Sequence, residues 1–254
     1  MPIEVTRGAV TRLELVRPEQ RNALDAAHLS QLAAALAEAG RDPEVRVLVL
    51  SGAGEHFSAG ADLGEVLALQ NVAEGRRYFG QVAEVMTLMR QARQPVVAVV
   101  RGWCLAGALG LVGAADFAYA AESARFGLPE VGLGLFPFVI SSVLVRQMAW
   151  RPLVEMALSG VPADAQAMVR AGLLTAVWPD AVLTEQTEEM IQRLASRPPE
   201  AVARGKAALW HMAGRHWQED LDRLVAEVAV LAQGAEAKRH IADFLARRSR
   251  GGAN

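Results

Sequence analysis

Apolar and polar positions alternate at the start of the chain, so residues 3–6 and 10–16 read as two short strands joined at Gly8. PEQRNALD (18–25) breaks that alternation, and Asp25 is the expected N-cap of a helix running to residue 39. VRVLVLSG (45–52) is a β-branched-rich run of the kind buried on both faces of a parallel sheet. A Gly/Ala loop, GAGEHFSAGADLGE (52–65), follows it, and residues 74–90 then show helical spacing with a polar face. QPVVAVVRG (94–102) predicts a second buried strand, again followed by a glycine loop and an alanine-rich apolar segment at 106–115. ADFAYAAESARFG (115–127) predicts a third strand and a turn. Strand, loop, helix and strand in this order imply an α/β fold with right-handed βαβ crossovers. Beyond Pro137 the pattern is mostly helical, with LLTAVWP (173–179) as a short strand and Pro198-Pro199 as a joint. An α/β core over 1–195 and a helical C-terminal region over 196–254 are expected, the latter packed on the core or on another subunit.

Composition narrows the picture. Apolar residues make up 52% of 254 residues, enough for a sizeable core. The formal net charge of −2 offers no electrostatic footprint for nucleic acid or an anionic membrane surface. The longest uncharged apolar run near the middle, 102–115, is too short to span a bilayer. A single cysteine, Cys104, excludes an internal disulfide and fits a reducing compartment. The opening residues lack the apolar core of a secretory leader, so a cytoplasmic protein is expected. His28, His56, His211, His216 and His240 form no HxxxH or HExxH arrangement, and no metal site is expected. No GxSxG or Walker A sequence occurs, and the GxGxxG spacing begun at Gly52 fails at Phe57. His56 reads as a loop histidine rather than a base.

Two loops of one design remain: HFSAGADLGE (56–65) and GWCLAGALGLVGAAD (102–116). Small residues where a chain leaves a strand and enters a helix let a ligand approach backbone N–H groups. Two such groups converging would form an oxyanion hole; close packing of strand on helix explains the same composition. Between Arg125 and Arg146 stands one acid, Glu130, in an otherwise uncharged segment. It reads either as a solvated turn or as a carboxylate whose apolar surroundings raise its pKa toward neutrality.

PEQRNALD (18–25), HFSAGADL (56–63), GWCLAGALGLVGAADFAYA (102–120) and ARFGLPEVGLGLFP (124–137) together resemble the enoyl-CoA hydratase/isomerase (crotonase) superfamily, over about residues 3–245. The resemblance implies a crotonase-like spiral ββα core and an acyl-CoA thioester substrate, with coenzyme A arriving as part of that substrate and no other cofactor. It implies that the N–H groups of Ala61 and Gly107 form the oxyanion hole and that Glu130 moves protons. It places Arg21, Asn22, Ala23, Ala59 and Leu63 near the coenzyme A moiety, and Lys206 on a C-terminal helix that helps hold it. A homotrimer or homohexamer is also implied, with neither nucleic acid nor membrane as partner.

One departure stands out. Relatives that hydrate efficiently carry a first glutamate where this chain has Gly110. A single carboxylate suffices to move a double bond from position 3 to position 2 of an enoyl-CoA, and it also supports hydration if backbone groups hold the water. The activity implied is therefore 3-enoyl-CoA isomerisation or 2-enoyl-CoA hydration, with a non-catalytic acyl-CoA-binding role as the alternative. Phe136, Phe138 and Val139 read equally as acyl-pocket wall or as core.

Overall fold

The computed structural model describes residues 2–213 and 217–251, so His216 and the last three residues of the tail lie outside the described residues. In chain order the strands are β1 (Ile3–Thr6), β2 (Val10–Leu15), β3 (Val47–Gly52), β4 (Val96–Val100), β5 (Trp103–Leu105), β6 (Phe117–Ala121), β7 (Arg125–Gly127), β8 (Ala163–Asp164) and β9 (Ala176–Trp178). The first helices are α1 (Ala26–Ala39), α2 (Leu63–Ala68), α3 (Val72–Gln91), α4 (Gly107–Ala114), α5 (Phe138–Gln147) and α6 (Trp150–Ser159). They are followed by α7 (Ala165–Ala171), α8 (Leu183–Ala195), α9 (Pro199–Ala213), α10 (Trp217–Gln233) and α11 (Ala235–Gly251).

Six strands form one sheet in the order β1-β2-β3-β4-β6-β9, parallel throughout except for the antiparallel β1-β2 hairpin. The apolar run of β3 is buried on both faces, as a central parallel strand requires. Leu48 and Leu50 join the main core with α1 and α3, whereas Val47 and Val49 face Leu183 and Ile191 of α8. This two-residue alternation between two cores is the pleat at work.

The second sheet, β5-β7-β8, was not legible in the sequence. The residues of β5 fall in the expected glycine loop, and their ladder comes from β7, about twenty residues on. A further bridge joins Ser58 to Cys104 and pins the preceding loop to the same sheet. Helix α2 likewise forms inside the expected loop, because the Asp62 side chain accepts from the N–H groups of Gly64 and Glu65 and caps it.

The C-terminal helices pack on this core. Val225, Val228, Ala229 and Ala232 of α10 belong to the same apolar cluster as Phe79 and Val82 of α3 and Val139 and Ile140 of α5. Helix α11 crosses α2 and the 3-10 turn Pro129–Leu133. Among the described residues, no helix is long and apolar enough to cross a membrane.

Candidate active site

The 18–25 segment and the first glycine loop are locked together by a polar framework. Asn22 is fully buried: its Oδ1 accepts from the Arg17 N–H at 2.9 Å, and its Nδ2 donates to the carbonyls of Ala53 (2.9 Å) and His56 (2.7 Å). The Ser58 hydroxyl donates to the Asn22 carbonyl at 2.7 Å and accepts from the Gly60 N–H at 3.1 Å. Residues 21–24 and 59–62 then run side by side: Ala59 N–H donates to Arg21, Leu24 N–H to Gly60 and Asp62 N–H to Leu24. Arg17 clamps the same two segments by bridging Asp25 (3.0 Å) and Asp62 (2.8 Å). The Tyr78 hydroxyl donates to the Leu24 carbonyl at 2.6 Å and accepts from the Asp62 N–H at 3.1 Å. Sequence reading missed Arg17, Ser58 and Tyr78. Ser58 stands inside the HFSAGADL motif and Arg17 directly before PEQRNALD, but nothing in the sequence pointed to Tyr78.

The second glycine loop is tied to the first through the main chain: the Ser58 N–H donates to the Trp103 carbonyl (3.1 Å) and the Leu105 N–H to the Ser58 carbonyl (3.0 Å). Neither Ala61 nor Gly107 donates its backbone N–H in any hydrogen bond among the described residues. Gly107 opens α4, where an N–H has no acceptor one turn back. Gly60 sits at φ +83°, and a Cβ on it would lie 2.6 Å from both the Ala106 Cβ and the Leu105 carbonyl oxygen and 3.2 Å from the Gly107 nitrogen. Only glycine allows this approach of one loop to the other. We therefore predict that Gly60→Ala, by pushing the loops apart, lowers kcat by about 10²–10³, the usual cost of losing one oxyanion donor. Steady-state kinetics on an enoyl-CoA would measure it; an unchanged kcat would mean that the spacing of the loops is irrelevant to turnover.

Glu130 lies in the 3-10 turn Pro129–Leu133, with its Oε2 buried and without a hydrogen-bond partner. Burial pushes its carboxyl up to about 7, its own backbone N–H pulling weakly the other way. The buried, unpartnered Oε2 is not what a solvated turn would present. Glu130, Ala61 and Gly107 all line one cavity of about 580 Å³. Arg21, Ala23, Ala59, Leu63, Phe136, Phe138 and Val139 line it too. Its exposed lining residues include Gln20, Arg21 and Arg248, while Phe79, Val82, Val139, Ile140 and Val228 are buried, so the cavity grades from a cationic mouth to an apolar interior.

Two residues expected near coenzyme A, Asn22 and Lys206, do not line this cavity. Both ends of the Asn22 amide are used inside the loop framework. Lys206 is 8% exposed, and its Nζ pairs with Asp116 at 2.7 Å and donates to the Met89 and Gln94 carbonyls, both at 2.9 Å. It anchors α9 to the core and does not reach the cavity. His56 is likewise structural, its Nδ1 accepting from the Trp103 N–H at 3.3 Å. Among the described residues, no group of three or more His, Cys, Asp or Glu side chains is placed to hold a metal ion.

Ala61 and Gly107, whose N–H groups have no acceptor among the described residues, line the same cavity as the Glu130 carboxyl, a set of groups suited to stabilising an enolate next to a carbonyl. Residues 6–249 match the family model described as enoyl-CoA hydratase/isomerase. The chain is similar to enoyl-CoA hydratase domain-containing protein 3, mitochondrial, of Rattus norvegicus, at 33% identity over 208 residues, covering 80% of this chain and 68% of that protein. It is also similar to 2,3-dehydroadipyl-CoA hydratase of Escherichia coli K12, at 33% identity over 201 residues, covering 79% of this chain and 78% of that one. The crystal structure of an enoyl-CoA hydratase from Mycobacterium avium superposes with a TM-score of 0.86 at 32% identity, covering 97% and 96% of the two chains, and so carries the expected crotonase-like fold. With fold and sequence agreeing over nearly its whole length, this chain belongs to the enoyl-CoA hydratase/isomerase family of acyl-CoA enzymes.

Proposed function

We propose that the protein isomerises 3-enoyl-CoA thioesters to 2-enoyl-CoA through a thioester enolate, with Glu130 as the sole proton carrier. One observation carries this reading. Among the described residues, the polar side chains lining the cavity are Gln20, Arg21 and Arg248, which are exposed, Asp62, which Arg17 engages, and Glu130, which is left alone in the interior. In the proposed step the Glu130 carboxylate takes a proton from C2. The charge that develops on the thioester oxygen is held by the N–H groups of Ala61 and Gly107. Glu130 then delivers a proton to C4, and the double bond settles between C2 and C3. Arg21 and Arg248 at the mouth are suited to the phosphates of coenzyme A, and Ala23, Ala59 and Leu63 to its pantetheine arm.

The test is a panel of 3-enoyl-CoA and 2-enoyl-CoA esters offered side by side. Gain of conjugated-thioester absorbance from the 3-enoyl esters is expected, with little loss from the 2-enoyl esters. Tight binding of these esters with no turnover would instead make the protein an acyl-CoA binder. The pH dependence has a defined sign: Glu130 must start as carboxylate, so kcat/KM should fall about tenfold per unit below its pKa of about 7 and level off above it.

A further inference from the structure

We propose that Ile140 sets the reaction type. It fills the flank of the site where a water would have to be held for addition to the acyl chain, and so confines the site to proton transfer. The inference rests on the isomerase reading and deepens it.

Position 110 lies three residues beyond Gly107 on α4 and therefore shares its face. Gly107 lines the cavity, yet Gly110 does not. Ile140, in the first turn of α5, lies across it. A Cβ on Gly110 would come 2.3 Å from the Ile140 Cγ2, 2.8 Å from the Ile140 Cβ and 3.0 Å from the Met86 Sδ. Ile140 is 3% exposed and is itself part of the cavity wall. A β-branched side chain in a helix holds essentially one rotamer, so it cannot swing aside. Leu105, Ala106 and Val139 complete the lining nearby and add no polar side chain. A water held ready for attack needs about two to four polar partners. The N–H groups of Ala61 and Gly107 are committed to the thioester oxygen, so on this flank water has no seat.

The consequence is chemical. When Glu130 takes the C2 proton, the C–H electron pair moves into the thioester as a dienolate. The same proton then forms the new C–H bond at C4, the C2–C3 double bond forms, and nothing is gained from or lost to solvent. An isomerase with a water seat would exchange that proton before returning it.

Isomerisation of a 3-enoyl-CoA in D2O reads this directly. Wild type is expected to place substoichiometric deuterium at C4, and Ile140→Ala to raise it several-fold while still isomerising. Ile140→Asn, which puts a polar group on the same flank, is expected to raise hydration of 2-enoyl-CoA at least about tenfold. A readout independent of turnover is steric. Gly110→Ala should lower the unfolding midpoint in the wild-type background and much less so in Ile140→Gly, where the neighbouring side chain is gone. Retained isomerisation with full C4 deuteration that is equal in wild type and Ile140→Ala would overturn the role of Ile140. So would a Gly110→Ala variant as stable as wild type. Wild-type protein that isomerises no 3-enoyl-CoA overturns the isomerase reading instead.

Discussion

Glu130→Gln is expected to lower kcat/KM for 3-enoyl-CoA by about 10²–10⁴, the range supplied by a positioned general acid–base. The side chain keeps its size and loses only its ability to carry a proton, so KM should move little and kcat should carry the loss. Stability should move the other way. The Glu130 carboxyl lies at about 7 in the folded protein against an ordinary 4.5, and burial is the cause. Between those values the native state keeps a proton that the unfolded chain has released. Stability therefore falls as pH rises from about 4.5 to about 7, and then stays lower by about 3 kcal/mol. Gln cannot ionise, so the variant should match wild type near pH 4 and exceed it by up to about 3 kcal/mol at pH 8. Urea unfolding across that window tests the point. A variant that is inactive and also less stable at pH 8 would mean that Glu130 is held by contacts to its charged form rather than strained by burial.

The second large effect concerns Lys206. Lys206→Met should destabilise the protein by about 3–5 kcal/mol, the usual result of removing one member of a buried ion pair. Asp116 would keep the N–H groups of Val96 and Trp210, each at 2.8 Å, but lose its counter-charge. The Met89 and Gln94 carbonyls would lose their shared donor. Because Lys206 is remote from the cavity, KM for an acyl-CoA should be unchanged at a temperature where the variant is folded. A raised KM with unaltered stability would be the outcome expected of a coenzyme A ligand, and would refute the anchoring role.

These two residues also mark how far the sequence could be read. Glu130 stood out locally as one carboxylate in an uncharged stretch, but the residues alone left a solvated turn open, and its role in proton transfer came from the family resemblance. The small-residue loops were legible from composition, whereas the choice of Ala61 and Gly107 within them came from the resemblance. Lys206 could not be placed from sequence because a lone lysine on an amphipathic helix looks the same whether it faces a ligand or a buried Asp116, ninety residues away in sequence. Asn22 sat in a correctly recognised motif, yet its amide serves the loop rather than the ligand.

The sequence by itself determined the main-sheet strands and the longer helices of the first half, the both-face burial of the central strands, the two glycine loops and the lone acid. Each of these is written in periodicity or composition over a dozen neighbouring residues. The tertiary structure alone decided the rest. Strand β5 exists only because β7 supplies its ladder, and the first glycine loop approaches residues 105–107 only because Gly60 has no Cβ. The closed flank at Gly110 belongs to Ile140, thirty residues downstream, whose methyl groups occupy the space that any side chain there would need. Contacts between distant segments depend on how rigid layers stack, and no local pattern of residues encodes which side chain ends up against which backbone.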